Sequence, residues 1–245
     1  MKKITLMTLL LAAMISFPAF AQEEAEDKVS VGLSLNHDAF FGFAPMMTIG
    51  YELENGDSFT AYGIQWGAGT GSVWGQWTEF GLGYNFSAGD FDINPQLGFT
   101  MGSLLSSGAA QEGIVGDGIV PNLTVNYGSD NWEGQFYFGY YGALSDNTEA
   151  GNATNNYVHY WANIGYKASD YVSFGAHFEE LFLSGGEVNG GGSLDRIDGY
   201  VWFGPYIQLQ KGNAGLRFSF GGNLADEDDR FAPNGFYKLA FFVSL

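Results

Sequence analysis

This 245-residue sequence predicts an all-β fold, a transmembrane antiparallel up-and-down β-barrel of about 12 strands. The first observation behind that prediction is a ladder of alternating segments, each on the order of ten residues and closed by a turn. Leu123, Val125 and Tyr127 alternate with Asn122, Thr124 and Asn126. After Gly128-Ser129-Asp130-Asn131 the pattern resumes as Trp132, Phe136, Phe138 and Tyr140 against Glu133, Gln135, Tyr137 and Gly139. Successive side chains of a strand point to opposite faces, so each segment has one oily and one wet side. The second observation is the alternation of short and long connectors between segments. The third is a leader that exports the chain.

Met1-Lys2-Lys3 is a basic start, residues 4–15 are almost wholly apolar, and Pro18-Ala19-Phe20-Ala21 places small residues for cleavage after Ala21. Residues 1–21 are expected to be a cleaved signal peptide and 22–245 a single barrel domain. A retained helical anchor needs ~20 apolar residues, more than the leader offers. Lys2 and Lys3 are two of the nine basic residues, so the exported chain sets seven against 27 acidic groups. Nucleic-acid binding is disfavoured, because neutralising phosphates takes surplus Lys and Arg. Without cysteine the chain cannot be a disulfide-stapled scaffold. Charged residues at 15% are too few for a disordered acidic protein, whereas 17% aromatics suit a barrel anchored by rings at lipid interfaces.

In chain order, strands are expected at 28–36, 45–53, 58–67, 73–86, 91–101, 118–127, 132–142, 156–167, 171–182, 197–210, 214–222 and 235–245. Short turns close alternate hairpins. Asn55-Gly56 lies in the first, Ser87 to Asp90 form the second, Gly128 to Asn131 the third, Ala168 to Asp170 the fourth and Gly212-Asn213 the fifth. Longer segments at 37–44, 68–72, 102–117, 143–155, 183–196 and 223–234 join the rest. Short periplasmic turns opposite longer extracellular loops are the asymmetry of outer-membrane barrels, and an even strand count places both termini in the periplasm.

Residues paired across a hairpin must share a face, which tests the reading. With Phe86 opposite Phe91, the outward set Trp74, Phe80, Leu82 and Tyr84 requires Ile93, Leu97, Phe99 and Met101 outside, and all are apolar. Tyr127 opposite Trp132, Tyr166 opposite Val172, and Lys211 opposite Ala214 behave alike. In the first short hairpin, Leu53 opposite Ser58 puts Tyr62, Ile64 and Trp66 outside. Phe86, Phe91, Tyr127, Trp132, Tyr166 and Tyr171 then flank the short turns, while Trp66, Trp74, Tyr140 and Tyr157 approach the long-loop side, as two aromatic girdles. A soluble barrel also alternates, but there the apolar face turns inward. Here the other face is too rich in glycine and amides to be a core.

Over its mature length the chain resembles Gram-negative outer-membrane proteins, on the leader, the hairpin ladder and the final strand Tyr237-Lys238-Leu239-Ala240-Phe241-Phe242-Val243-Ser244-Leu245. That resemblance implies an outer-membrane location among lipids and lipopolysaccharide. It also implies insertion by the barrel-assembly machinery, although Leu245 replaces the usual final aromatic. Twelve strands resemble the nucleoside-channel, autotransporter-pore and outer-membrane phospholipase architectures, with no diagnostic motif of any one.

The same parity lists the lumen. Glu52, Glu79, Asp92, Glu133, Glu179 and Asp198 are expected inside against Lys28, Lys167, Arg217 and Lys238, an acidic excess that implies a mild cation preference. The rings Trp77, Tyr137, Tyr141, Tyr157, Trp161, Tyr200, Trp202 and Tyr206 also point inward. They would either stack on a ring-bearing solute or pack together. Inward Gly50, Gly63, Gly75, Gly81, Gly98, Gly175 and Gly204 are expected to leave space. His159 opposite Glu179, with His177 opposite Trp161, forms a weak candidate metal or acid–base cluster. No nearby serine pattern supports lipid hydrolysis. The run Asp226 to Asp229 lacks the spacing of a calcium loop. Gly67-Ala68-Gly69-Thr70-Gly71 lacks the lysine of a phosphate loop, and no cofactor is expected. The expected function is passive or weakly selective diffusion of small hydrophilic solutes. The alternatives are a non-conducting structural or adhesive barrel with a plugged lumen and, less favoured, a lipid-modifying enzyme.

Overall fold

The structure, a computed structural model, describes residues 28–67, 77–102, 117–144, 153–188, 190–228 and 230–245. The leader, the connector 68–72, Trp74, Gly75 and Asp229 lie outside these residues, as do most of the connectors 102–117 and 143–155. Twelve strands form: β1 (Val29–Asp38), β2 (Gly42–Glu52), β3 (Ser58–Trp66), β4 (Trp77–Ala88), β5 (Phe91–Gly102), β6 (Gly118–Gly128), β7 (Trp132–Ala143), β8 (Ala153–Ser169), β9 (Val172–Val188), β10 (Ile197–Lys211), β11 (Ala214–Asn223) and β12 (Gly235–Ser244). Each pairs antiparallel with its chain neighbours. β1 also pairs with β12, setting Leu33 beside Val243 and Leu35 beside Phe241, so the sheet closes with no free edge. Closure matters in lipid, where an unpaired backbone group finds no water.

The short turns set the register. Gly212-Asn213 joins Lys211 to Ala214 as expected, with Gly212 at φ 57° and Leu209 beside Leu216. The β4–β5 turn is tighter than expected: Ala88 pairs with Phe91 across Gly89-Asp90, and Phe86 meets Ile93. Tyr127 pairs with Gly134 rather than Trp132, and Tyr166 with Phe174 rather than Val172. These three registers move by two residues, so every face is kept. The β2–β3 connection differs by one. Glu52, not Leu53, pairs with Ser58, because Leu53 to Asp57 make a five-residue loop closed by Leu53 N–H to Asp57 O (2.8 Å) and Gly56 N–H to Leu53 O (3.0 Å). A one-residue slip inverts a strand. Tyr62, Ile64 and Trp66 are therefore inward and buried, while Phe59 is exposed on the outer face and Gly63 is outward.

The outer face is apolar, with Leu33, Phe80, Leu82, Phe136, Ile164 and Phe203 all exposed. Rings gather at the short-turn end: Phe91 lies 4.9 Å from Tyr127, and Trp132 5.6 Å from Tyr166. The second girdle is thinner than expected, since Tyr140 points outward but Trp66 and Tyr157 are buried inside. A bulge between Asp198 and Tyr200 also re-aims Asp198. It pairs with outward Phe182 and binds Arg196 at 3.0 Å, so it leaves the set of lumen charges.

The inward glycines leave little space, contrary to expectation. A Cβ on Gly81 or Gly98 would collide with Tyr62, and one on Gly175 or Gly204 with the backbone of the next strand. Glycine here is what lets a lumen ring lie flat on the wall. Gly81→Ala is expected to destabilise the barrel by about 1–3 kcal/mol through overpacking against Tyr62. Urea unfolding in micelles measures it.

Candidate functional site: the barrel lumen

Two buried carboxylates on β4 and β9 and a partly buried one on β7 organise the lumen from the short-turn end upward. Nearest that end is Glu133. It accepts hydrogen bonds from Ser173 Oγ (2.7 Å), Tyr206 Oη (2.9 Å) and Gln208 Nε2 (2.8 Å), and faces Arg217 at 3.8 Å. Arg217 also donates to Gln208 Oε1 at 2.8 Å and sits 4.9 Å from the Tyr206 ring centre. Across the bore a cavity of about 450 Å³, bordered by Gly212-Asn213, is lined by inward Ser34, Met46, Thr48, Gln210 and Phe242 and reaches the outward Leu33 and Val243. Asp92 accepts from Ser87 Oγ at 2.7 Å, and Glu52 lies exposed beside Lys28 at the same end. Lys167 donates to Ser129 O at 2.7 Å.

Glu179 is central and fully buried. His159 Nε2 (2.8 Å) and Tyr200 Oη (2.7 Å) meet Oε1, while His177 Nε2 (3.0 Å) and Lys238 Nζ meet Oε2. The two histidines and the glutamate do come together, but by a register other than the expected one. His159 pairs with Leu181, His177 with Asn163, and Glu179 with Trp161. His177 Nδ1 binds Asn163 Oδ1 at 2.6 Å, so this imidazole is engaged at both nitrogens. Among the described residues no group of three or more His, Cys, Asp or Glu is placed to hold a metal. Ser173 is committed to Glu133 and supplies no nucleophile to this cluster. Cross-strand burial of one carboxylate under four donors locks β8, β9, β10 and β12 together.

At the long-loop end the bore is filled by rings. Tyr200 stacks on Trp202 at 3.8 Å and Trp202 on Phe236 at 4.9 Å, while Tyr137 stacks on Trp161 at 4.0 Å. The faces of Tyr200 and Trp202 are thus occupied by neighbours. Between β1 and β2 the chain turns inward. Asp38 Oδ1 accepts the N–H groups of Phe40 (2.8 Å) and Phe41 (2.5 Å), an aspartate-capped turn, and both rings are buried in the bore. Phe41 lies 4.8 Å from Trp66 and 5.8 Å from Trp77, and Phe40 5.4 Å from Tyr200. Glu79 sits in this region, accepting from Tyr62 Oη (2.6 Å) and Trp66 Nε1 (3.2 Å). Of the expected residues, Glu79, Glu133, Glu179, Arg217, Lys238, Trp77, Tyr137, Trp161, Tyr200, Trp202 and Tyr206 all belong to the lumen. Phe40, Phe41 and Asp38 were not anticipated there.

A closed antiparallel barrel of twelve strands, apolar outside and filled with polar and aromatic groups inside, has the fold of the porin-like outer-membrane β-barrels. The chain belongs to DUF6733, described as a family of unknown function, whose match covers residues 1–245. No curated protein matches it. Among solved structures it is similar to the COG4313 outer membrane channel from Pseudomonas putida F1, at 12% identity over 91% of this chain and 100% of that one, with a TM-score of 0.55. It is also similar to the NanC porin, at 6% identity over 88% of this chain and 100% of that one, with a TM-score of 0.51. At such identities the likeness is one of fold.

Proposed function

We propose that this protein is an outer-membrane channel for small hydrophilic solutes, closed in this conformation at its long-loop end. The observation that carries the reading is the asymmetry of the bore: a cavity of about 450 Å³ toward the short turns, lined by polar and apolar groups alike, and above it a ring-packed segment entered by a separate turn of chain. A barrel built only as a wall has no need of an unfilled chamber, and an always-open filter has no need of the Phe40-Phe41 turn. Both termini are assigned to the periplasm and the longer loops to the cell surface, where lipopolysaccharide surrounds them. Insertion falls to the barrel-assembly machinery.

The lumen charges support a mild cation preference. Glu133 is only partly buried toward the short-turn end of the bore, and charge lining a narrow path sets its selectivity. Reversal potentials across planar bilayers under a salt gradient test this. The wild-type protein is expected to favour cations, and Glu133→Gln to move the reversal potential toward zero. An anion-selective wild type would overturn the preference.

The packed upper bore favours a second reading, a non-conducting barrel that acts through its loops. The two part on one result: a channel opens when Phe40 and Phe41 are truncated, and a solid barrel does not. Hydrolysis of liposomal phospholipid by the purified protein would favour the lipid-modifying alternative over both.

A further inference from the structure

We propose that the aromatic chamber around Glu79 is a binding site for an organic cation, a substituted ammonium group, and that the Phe41 ring occupies it until such a cation displaces it. The proposal deepens the channel reading by naming a solute class, but binding can be measured whether or not the barrel conducts.

Glu79 is unlike Glu179 and Glu133. Glu179 has Lys238, and Glu133 faces Arg217. Glu79 has only neutral donors: Tyr62 Oη, Trp66 Nε1 and the Tyr141 hydroxyl. Among the described residues no Lys or Arg forms an ion pair with it, and the segments 68–76, 103–116 and 145–152 contain no Lys or Arg. A buried carboxylate without a positive partner is costly, and such a site gains from a cation that supplies one.

Two further acceptors lie in the same cluster. Asn122 donates Nδ2 to Tyr62 Oη at 2.8 Å, yet its buried Oδ1 has no hydrogen-bond partner. Thr100, paired with Glu79 across β4–β5, has a fully buried Oγ1 that also lacks one. The neighbourhood therefore offers a bound group an amide oxygen and a hydroxyl able to accept from it.

The walls have the complementary chemistry. Trp66 and Trp77 stack at 5.7 Å, and with Tyr141, Tyr157, Phe41, Leu181 and the Glu179-bound His159 they enclose a residual void of only about 10 Å³. Trp66 and Tyr141 each touch both Glu79 and the space that Phe41 fills. A cation over the faces of Trp and Tyr is stabilised by their quadrupoles, the basis of aromatic cages for quaternary ammonium groups. Phe41 is carried on a short turn held by Asp38, so its withdrawal opens a ring-sized space beside the carboxylate without breaking a strand.

The test is a titration of tryptophan fluorescence in the purified barrel with tetramethylammonium chloride, sodium chloride serving as the ionic-strength control. A saturable change is expected with tetramethylammonium alone. Phe41→Ala, which removes the competing ring, should tighten binding on the order of tenfold, and Glu79→Gln should weaken it by a similar factor. If Glu79→Gln does not fold by circular dichroism, Trp77→Leu replaces it and is expected to weaken binding likewise. No saturable response in either wild type or Phe41→Ala overturns the proposal, as does equal affinity in folded Glu79→Gln. A protein that conducts without binding tetramethylammonium keeps the channel and loses this site; one that binds but never conducts does the reverse.

Discussion

Lys238→Met is expected to lower the unfolding free energy by about 3–5 kcal/mol, because it strips the cation from a fully buried carboxylate. Glu179 would then rest on two imidazoles and a phenol, with no fixed positive charge in reach. Lys238 also lies 5.4 Å from the Trp161 ring and 5.9 Å from Trp202, so the substitution loses two cation–π contacts together with the ion pair. Methionine keeps the apolar stem, which separates lost charge from lost packing. The double variant Lys238→Met with Glu179→Gln should recover much of the loss, since removing both partners leaves no orphaned charge. Urea titrations of the protein refolded in micelles measure all three. A single-variant loss below about 1 kcal/mol, the range of exposed pairs, would show that β12 is not held to β9 in this way.

The second large effect is expected at the inserted turn. Truncating a buried phenylalanine costs about 3–5 kcal/mol, and for Phe40 and Phe41 that loss falls on the closed arrangement alone. Each ~1.4 kcal/mol is tenfold in an equilibrium. Even with half the loss recovered by collapse of neighbouring rings, Phe40→Ala with Phe41→Ala should raise the open-to-closed ratio on the order of a hundredfold. Open probability in single-channel records reports the change. Asp38→Ala is the milder form, because it leaves both rings intact and removes only the acceptor that fixes their turn.

Much of this barrel was legible in the alternation of its residues. The twelve strands and the Gly212-Asn213 turn follow from period-two patterning and turn chemistry, and three hairpins that slipped by two residues kept their faces. What misled the reading at β3 was physical. The rule that the oilier face meets lipid assumes a wet lumen, but the upper bore is itself an apolar core. On β3 the larger apolar side chains Tyr62, Ile64 and Trp66 belong to that core, and Phe59 alone among large residues faces outward. With Tyr62 and Trp66 assigned outside, two of the three hydrogen-bond donors of Glu79 were missing, and Glu79 read as one more pore charge. The Phe40-Phe41 turn was missed because it lies in a connector, where alternation carries no information. The signal available was local: two adjacent phenylalanines closely following an aspartate, the pattern of a capped turn that buries its tip, and the segment 37–44 read as a longer loop is in fact a turn over 39–41. Asp198 was misplaced because a bulge leaves no mark on a period-two pattern.

The central claim is a conduit held shut by its own β1–β2 turn. Uptake of small sugars and amines into liposomes reconstituted with wild-type and Phe40→Ala/Phe41→Ala protein measures it most directly. Slow entry through the wild type, and rapid, size-limited entry through the double variant with amines ahead of neutral sugars, is the predicted result. A double variant that inserts as a folded barrel and remains as impermeable as protein-free liposomes would contradict it.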